Sequence, residues 1–351
     1  MGTSSSCEGR IRQGRFLLAA ALALLPSVAH AAVGSTEIIG KQGDGPVTVY
    51  YPSSSEAQSL KRGPFTLDLA WQGTPVQGNG RLVVISHGSG GAPAVHSDLA
   101  RTLVDAGFVV ALPEHRGDNY KDDSSPGPES WKIRPAEVSR AIDAVGEDAR
   151  FAPLLGLDKV GMYGMSAGGH TALSLAGGSW SPARLRQHCD AHIEDDFQTC
   201  VGLAARLNGG FLDGLKKTIA LAVIDHRLDD ATEYRHTDPR IAAVVAGVPF
   251  AADFDMASLA APRVPLALVT AQRDQWLVPR FNSELVLQAC STCERLADLP
   301  NGGHGALLSP LPPGLTGLEG ELLNDPPGFD RAEVAAMNRK IATFFRAHLL
   351  P

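Results

Sequence analysis

Residues 161–170 read "GMYGMSAGGH", and they raise the question of whether Ser166 is a nucleophile on a sharp turn. A Gly-x-Ser-x-Gly match fixes only three positions, and a chain with 37 glycines could contain one by chance. The motif has meaning only when a strand leads into it, a helix follows it, and its chemical partners come later in the chain. The neighbouring sequence therefore decides the interpretation.

The residues around the motif predict this strand–turn–helix context. "DKVGMYG" (158–164) is typical of a buried strand, and "AGGHTALSLAGG" (167–178) predicts a helix that ends at two glycines. Upstream, "RLVVIS" (81–86) and "FVVALP" (108–113) predict two further buried strands with a helix between them. This alternation predicts an α/β fold with a mostly parallel sheet flanked by helices.

The same pattern predicts the other elements. Pro135 is expected in the first turn of a helix whose buried face carries Val138, Ile142 and Val145. Downstream, the pattern predicts three strands, at 240–250, 264–274 and 293–300, and two helices, near 280–290 and over 330–349.

Residues 179–239 interrupt this alternation with mixed helix and loop, rich in acidic residues and histidine. We interpret them as a helical cap inserted into a single domain over residues 32–351, a length that one α/β domain can occupy. Within the cap, apolar side chains recur at helical spacing, and we expect them to dock the cap onto the domain: Leu215, Ile219 and Leu221 or Ala222.

The first 31 residues predict a signal peptide. Three arginines precede the apolar run 16–25, and Ala29 and Ala31 form an A-x-A-like cleavage site. The apolar run is too short to span a bilayer comfortably. We therefore expect residues 1–31 to be removed and the mature protein to be secreted or periplasmic.

Composition limits the classes of partner. The formal net charge is −7, and no basic run indicates a nucleic-acid site or an anionic membrane surface. We expect a small-molecule substrate, no nucleic acid and no stable membrane association, while the sequence leaves the oligomeric state open.

Four cysteines follow the apolar run, and an even number in an exported chain favours disulfides. Three pairings are possible in principle. The short separations favour Cys189–Cys200 and Cys290–Cys293. A thiol oxidoreductase built on Cys290 and Cys293 is the alternative, but redox pairs sit at helix N-termini and this one follows a predicted helix end.

A metal site in the cap is a second alternative, formed by His188, Cys189, Asp190, His192 and Asp195. A solvated acidic cap held by a disulfide is the favoured interpretation, and we expect no metal.

The candidate catalytic residues come in a definite order. A serine hydroxyl needs a histidine to accept its proton, and that histidine needs a carboxylate to orient it. On this type of turn the chain order is serine, acid, histidine, which here gives Ser166, Asp274 and His304. Asp274 ends a predicted strand, and His304 lies in the glycine-rich "NGGHG" (301–305).

Two backbone N–H groups are needed to stabilise the oxyanion that forms on the substrate. One belongs to the residue after the nucleophile, Ala167, and the other is expected in "SHGSGG" (86–91), with Ser89 as the best candidate. We expect His87 to have a structural role in this loop.

Four motifs together resemble the dienelactone hydrolase-like group of α/β-hydrolases, which is related to platelet-activating factor acetylhydrolase. They are "SHGSGG" (86–91), "EHRGDN" (114–119), "WKIRPAEVSRAID" (131–143) and "KVGMYGMSAGGHTALSLAGG" (159–178). The similarity extends over about residues 45–349. It implies an α/β-hydrolase fold and a serine esterase with no metal or organic cofactor.

This sequence departs from the two related families at the nucleophile and at the acid. Dienelactone hydrolase itself uses a cysteine nucleophile, so Ser166 disfavours lactone opening. In the acetylhydrolase branch the acid follows the preceding strand, which points to Asp253 or Asp255. The spacing of 30 residues between Asp274 and His304 leaves room for a helix and a strand, and we favour Asp274.

The sequence thus predicts an exported carboxylic ester hydrolase that prefers short-chain or aryl esters. A lipase, a phospholipid acetylhydrolase-like activity and lactone hydrolysis are the alternatives. A non-catalytic binding protein on the same fold is a further one, because a fold does not determine function.

Overall fold

The structure is a computed structural model that describes residues 1–4 and 32–351. Apart from its first four residues, the predicted signal peptide lies outside the described residues. Among the described helices, none has the length and apolar character needed to cross a membrane.

Ten strands and ten α-helices make up the described domain. The strands are β1 (Ala32–Ile38), β2 (Val47–Ser53), β3 (Gln58–Arg62), β4 (Phe65–Trp71), β5 (Leu82–Ser86), β6 (Val109–Pro113), β7 (Val160–Met165), β8 (Ile241–Gly247), β9 (Leu266–Ala271) and β10 (Glu294–Leu299). The helices are α1 (Ser97–Asp105), α2 (Pro128–Glu147), α3 (Ala167–Leu175), α4 (Pro182–His192), α5 (Phe197–Val201), α6 (Asp213–Arg227), α7 (Met256–Leu259), α8 (Ser283–Ala289), α9 (Gly317–Leu323) and α10 (Ala332–Leu349).

The strands form one sheet in the order β10-β9-β8-β7-β5-β6-β2-β1-β4-β3. The six strands from β10 to β6 are parallel, and the antiparallel pairing of β2 with β6 joins the N-terminal strands to them. β5 and β7 pair through Ser86 and Gly164 at their carboxyl ends. The segments that follow these two strands therefore begin side by side at one edge of the sheet, where open α/β sheets place their binding sites.

Helices cover both faces of the sheet, as the sequence predicts. Leu103 of α1 and Ile341 of α10 are buried against one face, while Ile142 of α2 and Leu173 of α3 are buried against the other. Strand β7 is buried along its whole length. Because both faces of the central strands pack against apolar side chains of the helices, these strands are continuous runs of apolar residues.

The expected start of α2 is wrong. The helix begins at Pro128, which follows Gly127 at a positive φ of 76°, and Pro135 lies inside the helix. Pro128 occupies the first-turn position because its missing N–H has no helical partner there. The predicted inward face is confirmed, since Val138, Ile142 and Val145 are fully buried.

The region predicted as a cap contains α4, α5 and α6. The disulfide Cys189–Cys200 joins α4 to α5, with 5.7 Å between the two Cα atoms. The second predicted disulfide, Cys290–Cys293, is also present, with 5.4 Å between Cα atoms. Both pairs are the local pairings that the sequence separations favour.

The expected docking face of α6 is wrong in part. Leu215 and Ile219 are 56% and 55% exposed. Helix α6 instead packs through Ile224, which is buried, and Leu221, which is partly buried against the same core cluster. Helix α6 has apolar residues on two sides, and their spacing in the sequence did not identify the side that packs against the core.

Candidate active site

Ser166 lies at the sharp turn between β7 and α3. Its φ of 57° and ψ of −118° are strained for a residue with a side chain. The neighbouring glycines are required by close contacts, since a Cβ at Gly164 would overlap the carbonyl of Gly168, and one at Gly168 would overlap the carbonyl of Ser86. The strand, turn and helix that the motif requires are all present.

The three residues proposed from their order in the chain come together at this turn. His304 Nε2 lies 3.0 Å from Ser166 Oγ, and His304 Nδ1 lies 2.7 Å from Asp274 Oδ2. The other carboxylate oxygen of Asp274 accepts hydrogen bonds from the amides of Trp276 and Leu277, at 2.8 and 2.9 Å. The carboxylate is therefore held in one orientation, with one oxygen left for the histidine.

The glycines around His304 allow its loop to enter the site. A Cβ at Gly305 would overlap the carbonyl of Leu323, and one at Gly303 would lie 2.9 Å from Pro326 Cγ. His304 itself is buried. The glycine-rich composition of 301–305 thus has a packing cause, because α9 lies directly against the loop.

The two rival acids have other partners. Asp253 is fully buried, and its Oδ2 lies 3.1 Å from Nε2 of His170, which is stacked on Trp131. Asp255 caps α7 by accepting a hydrogen bond from the amide of Ala257. Of the three candidate carboxylates, the one hydrogen-bonded to His304 is Asp274.

The candidate oxyanion donors flank the nucleophile. A Cβ at Gly88 would lie 3.4 Å from Ser166 Cβ, so the segment after β5 passes beside the turn, and Ser89 is the next residue. Ala167 begins α3, where amides have no intrahelical partner. Neither the Ser89 nor the Ala167 amide donates a hydrogen bond to the described backbone outside helices and strands. Their role as an oxyanion hole stays a prediction.

His87 makes the structural contacts expected of it. The amide of His115 donates to His87 Nε2 at 3.3 Å, so the proton is assigned to Nδ1, which donates to the carbonyl of Gly88 at 2.7 Å. Burial, followed by the charges of His115 and Arg134, lowers the pKa of His87 well below its usual value. The ring is therefore neutral near pH 7.

Sequence reasoning missed a group of buried polar side chains behind this loop. His115 Nδ1 lies 2.6 Å from Glu137 Oε2, and His115 Nε2 lies 2.7 Å from Ser86 Oγ. Arg134 and Asp118 are also fully buried. A signal was present, because Arg134 is four residues before the inward-facing Val138 and so lies on the buried face of α2.

Several candidate residues of the two alternative chemistries have other partners. Cys290 and Cys293 are bonded to each other just after α8 ends. Cys189 is in a disulfide, and His188 is paired with Asp196 at 2.7 Å. Over residues 1–4 and 32–351, no three His, Cys, Asp or Glu side chains are grouped as metal ligands.

Two comparisons with known proteins can be set beside this geometry. Residues 56–124 match the family model of platelet-activating factor acetylhydrolase, isoform II. A solved ferulic acid esterase from Streptomyces cinnamoneus superimposes with a TM-score of 0.57 at 16% sequence identity, covering 93% of this chain and 92% of that chain. No curated protein sequence matches the chain.

The sheet order and the superposition show that the chain has the α/β-hydrolase fold. Over residues 56–124 it resembles platelet-activating factor acetylhydrolase, isoform II, and this match supports a carboxylic ester hydrolase, as the sequence motifs predict. The matched segment contains Ser89 and Asp118 but ends before Ser166.

Proposed function

We propose that this protein is an exported serine hydrolase that cleaves carboxylic esters through an acyl-enzyme on Ser166. The observation that carries the proposal is the hydrogen-bonded series Ser166–His304–Asp274, with distances of 3.0 and 2.7 Å. Its order in the chain and its position at the carboxyl edge of a parallel sheet agree with this class of enzyme.

The proposed reaction has two steps. Ser166 Oγ attacks the ester carbonyl and gives its proton to His304 Nε2, which passes the proton to the departing alcohol oxygen. Water then attacks the acyl-enzyme, His304 takes a proton from that water, and the acid is released as Ser166 regains its proton. Asp274 keeps the proton of the neutral ring on Nδ1 and stabilises the imidazolium. These steps require no metal or organic cofactor.

Replacement of the nucleophile tests the proposal. Ser166→Ala should lower kcat by about 10⁴-fold or more on the best ester substrate. Ser174→Ala is the matched control on the same helix, because the Ser174 hydroxyl is buried without a hydrogen-bond partner among the described residues. Retention of more than a few per cent of activity by Ser166→Ala would falsify the assignment.

We propose short-chain or aryl esters as substrates. The cap meets the residues that follow Asp274 at a cleft of about 490 Å³, which is lined by Phe197, Arg206 and Trp276 among others but not by Ser166 or His304. The buried hydroxyl of Thr199 donates to the carbonyl of Trp276 at 3.0 Å, so the cap rests on the residues that follow the catalytic acid. The polar composition of residues 184–200, which the Cys189–Cys200 disulfide links, favours small soluble esters over long acyl chains.

A lipase or phospholipid acetylhydrolase-like activity is the second candidate. The exposed apolar residues at the start and along one side of α6 favour it, since an apolar surface on a cap can contact a lipid aggregate. They are Phe211 and Leu212 just before the helix and Leu215, Ile219 and Val223 within it. Values of kcat/KM on p-nitrophenyl esters from C2 to C16 separate the two activities. A maximum at C2 to C6 is expected, whereas a maximum at C10 or beyond, or activation by an oil–water interface, favours the lipase.

Export is supported by the N-terminal sequence pattern and by the two disulfides, which persist in oxidising compartments. N-terminal sequencing of the protein recovered from its producing cells tests this, with a first residue near Ala32 expected. A mature protein that begins at Met1 would contradict export by cleavage.

A further inference from the structure

The segment that carries Ser89 is held from behind by two buried side chains of opposite charge. Arg134 of α2 and Asp118, which follows β6, are fully buried, and Arg134 Nη2 lies 2.8 Å from Asp118 Oδ2. Neither residue takes part in the reaction steps proposed above. A buried ion pair is weak evidence for a stabilising role, because desolvation offsets the attraction between the charges. Their other contacts are more informative.

Arg134 fixes the beginning of the segment His87–Gly90. Its Nη1 donates to the carbonyl of His87 at 2.7 Å, and its Nη2 also donates to the carbonyl of Asp118 at 3.1 Å. Its Nε donates to Ser130 Oγ at 2.7 Å. The planar guanidinium thus joins α2 to two loops in one fixed geometry.

Asp118 fixes the other end of the same segment. Its Oδ1 accepts hydrogen bonds from Ser89 Oγ at 2.6 Å and from the amide of Gly90 at 2.9 Å. Burial alone raises the pKa of Asp118, but the charge of Arg134 and the bonds from Ser89 and Gly90 outweigh it and lower the pKa. Asp118 is therefore ionised near pH 7, and an ionised acceptor makes stronger hydrogen bonds than a neutral one.

The segment needs such support because its own sequence is flexible. Gly88 and Gly90 surround Ser89, and Gly90 has a positive φ of 63° that few other residues adopt. An oxyanion donor contributes to catalysis only when it already points at the position where charge develops. A mobile Ser89 amide would lose much of that contribution.

We propose that Arg134 and Asp118 are positioning residues, which hold the Ser89 amide N–H in the orientation that stabilises the oxyanion formed at Ser166. This inference rests on the proposed function. It predicts a signature that a purely structural ion pair lacks: the loss of Asp118 weakens transition-state binding while ground-state binding stays nearly constant.

The experiment compares three variants of the full chain. Asp118→Asn removes the charge that holds the segment, and Ser89→Ala removes only the Oγ bond to Asp118. Asp44→Asn is the control. Asp44 accepts two hydrogen bonds from Arg140 of α2, at 2.5 and 2.8 Å, and has no hydrogen bond to the segment His87–Gly90 among the described residues. Each variant is assayed for kcat and KM on p-nitrophenyl acetate, for melting temperature, and for Ki of two inhibitors.

The two inhibitors separate the binding states. A trifluoromethyl ketone adds to the serine and forms a tetrahedral oxyanion, whereas the corresponding amide binds without addition. For Asp118→Asn we expect kcat to fall by about 10²-fold and the Ki of the ketone to rise in parallel. KM and the Ki of the amide should change by less than about threefold. For Ser89→Ala we expect the same pattern at about 10-fold, and Asp44→Asn should match the parent.

The outcomes distinguish the two proposals. A folded Asp118→Asn protein with unchanged kcat and unchanged ketone Ki overturns the positioning role, while inactivity of Ser166→Ala in the same assay keeps the proposed function intact. If Asp118→Asn does not fold, Ser89→Ala decides, and unchanged ketone affinity in that variant overturns the role. Activity of Ser166→Ala overturns the proposed function itself.

Discussion

The segment His87–Gly90 and the cap are held in place by different kinds of interaction. The segment His87–Gly90 is fixed by buried hydrogen bonds to charged side chains of α2 and the loop after β6. The cap is held by a disulfide between α4 and α5, by ion pairs at the surface such as Arg186–Asp225, and by apolar packing of Trp180, Leu185 and Ile224.

This difference corresponds to two demands of ester hydrolysis. Transition-state stabilisation requires donors with fixed positions, and buried charged networks provide them because every partner must keep its geometry. Substrate selection requires only a surface of suitable shape. Exposed ion pairs contribute about 0–1 kcal/mol each, so they do not hold such a surface rigidly. We therefore expect changes on the segment side to alter kcat and changes on the cap side to alter stability and substrate range.

The largest effect should come from the acid that orients His304. Asp274→Asn should lower kcat by about 10⁴-fold because an amide at this position favours the wrong tautomer of the ring. Asp253→Asn, which retains a hydrogen-bond partner for His170, should change kcat by less than about 10-fold. Steady-state kinetics of both variants test the comparison, and the reverse order would move the catalytic acid to Asp253.

The three candidate catalytic residues could be predicted because each lies in a recognisable local sequence pattern. Ser166, Asp274 and His304 could be chosen because each lies where a strand ends or glycines cluster, and chain order supplied the rest. The ion pair of Arg134 and Asp118 could not be found in this way. Its members belong to a helix and a loop whose contact depends on the tertiary fold.

The fold shows the same limit. The strands β5, β6 and β7 are buried along their whole length, and their apolar composition alone identified them. Strands β1 to β4 were not predicted. In β4, "FTLDLAW" (65–71), buried residues alternate with exposed ones, and β3 has no buried residue, because this antiparallel part of the sheet is more open to solvent.

The next largest effect should be a loss of stability in the cap. Replacing Cys189 and Cys200 by serine should lower the free energy of unfolding by about 2–3 kcal/mol in the chain-entropy model for a loop of this length. Because the cap supplies no proposed catalytic group, kcat on p-nitrophenyl acetate should remain within about threefold of the parent.

Denaturant unfolding and kinetics on the same preparation measure the two quantities. The control is the pair Cys290→Ser and Cys293→Ser, whose shorter loop should cost about 2 kcal/mol. A folded cap variant with kcat reduced 100-fold would show that the cap positions catalytic groups, which contradicts the division of roles argued here.

A third effect should appear when the pH falls, and it concerns the stability of the fold around a buried histidine outside the segment His87–Gly90. His96, which follows this segment, is fully buried, and burial lowers its pKa to about 4, while its ring nitrogens lack partners among the described residues. Below the unfolded pKa of about 6.5 the unfolded chain binds a proton that the folded protein excludes. Stability is therefore lost as pH falls from 6.5 toward 4, by up to about 1.4 kcal/mol per pH unit from His96.

Comparison with His96→Phe isolates this contribution. The free energy of unfolding of the variant should fall less steeply with pH, because one proton fewer is taken up on unfolding. Between pH 7 and pH 5 the variant should therefore become more stable relative to the parent by about 2 kcal/mol. Burial also lowers the pKa of His87 and His115, so the remaining slope should not vanish. Equal slopes in the two proteins would mean that His96 is accessible to protons in the folded state.

The smallest effect should come from the exposed side of α6, and it sharpens the comparison within the cap itself. Leu215 and Ile219 face solvent in the described structure, whereas Ile224 on the same helix is buried. The double variant Leu215→Ser, Ile219→Ser should therefore change the free energy of unfolding by no more than about 0.5 kcal/mol, and Ile224→Ala should lower it by about 2–5 kcal/mol. On a C4 ester the double variant should keep the parent kcat/KM, since these side chains lie on the outer side of the helix.

If the protein acts on lipid aggregates, the same variant should lose activity on emulsified long-chain esters while the C4 activity is retained. Equal activity of parent and variant on both substrates is the expected result for an enzyme of small soluble esters, and it would leave the exposed face without a part in catalysis.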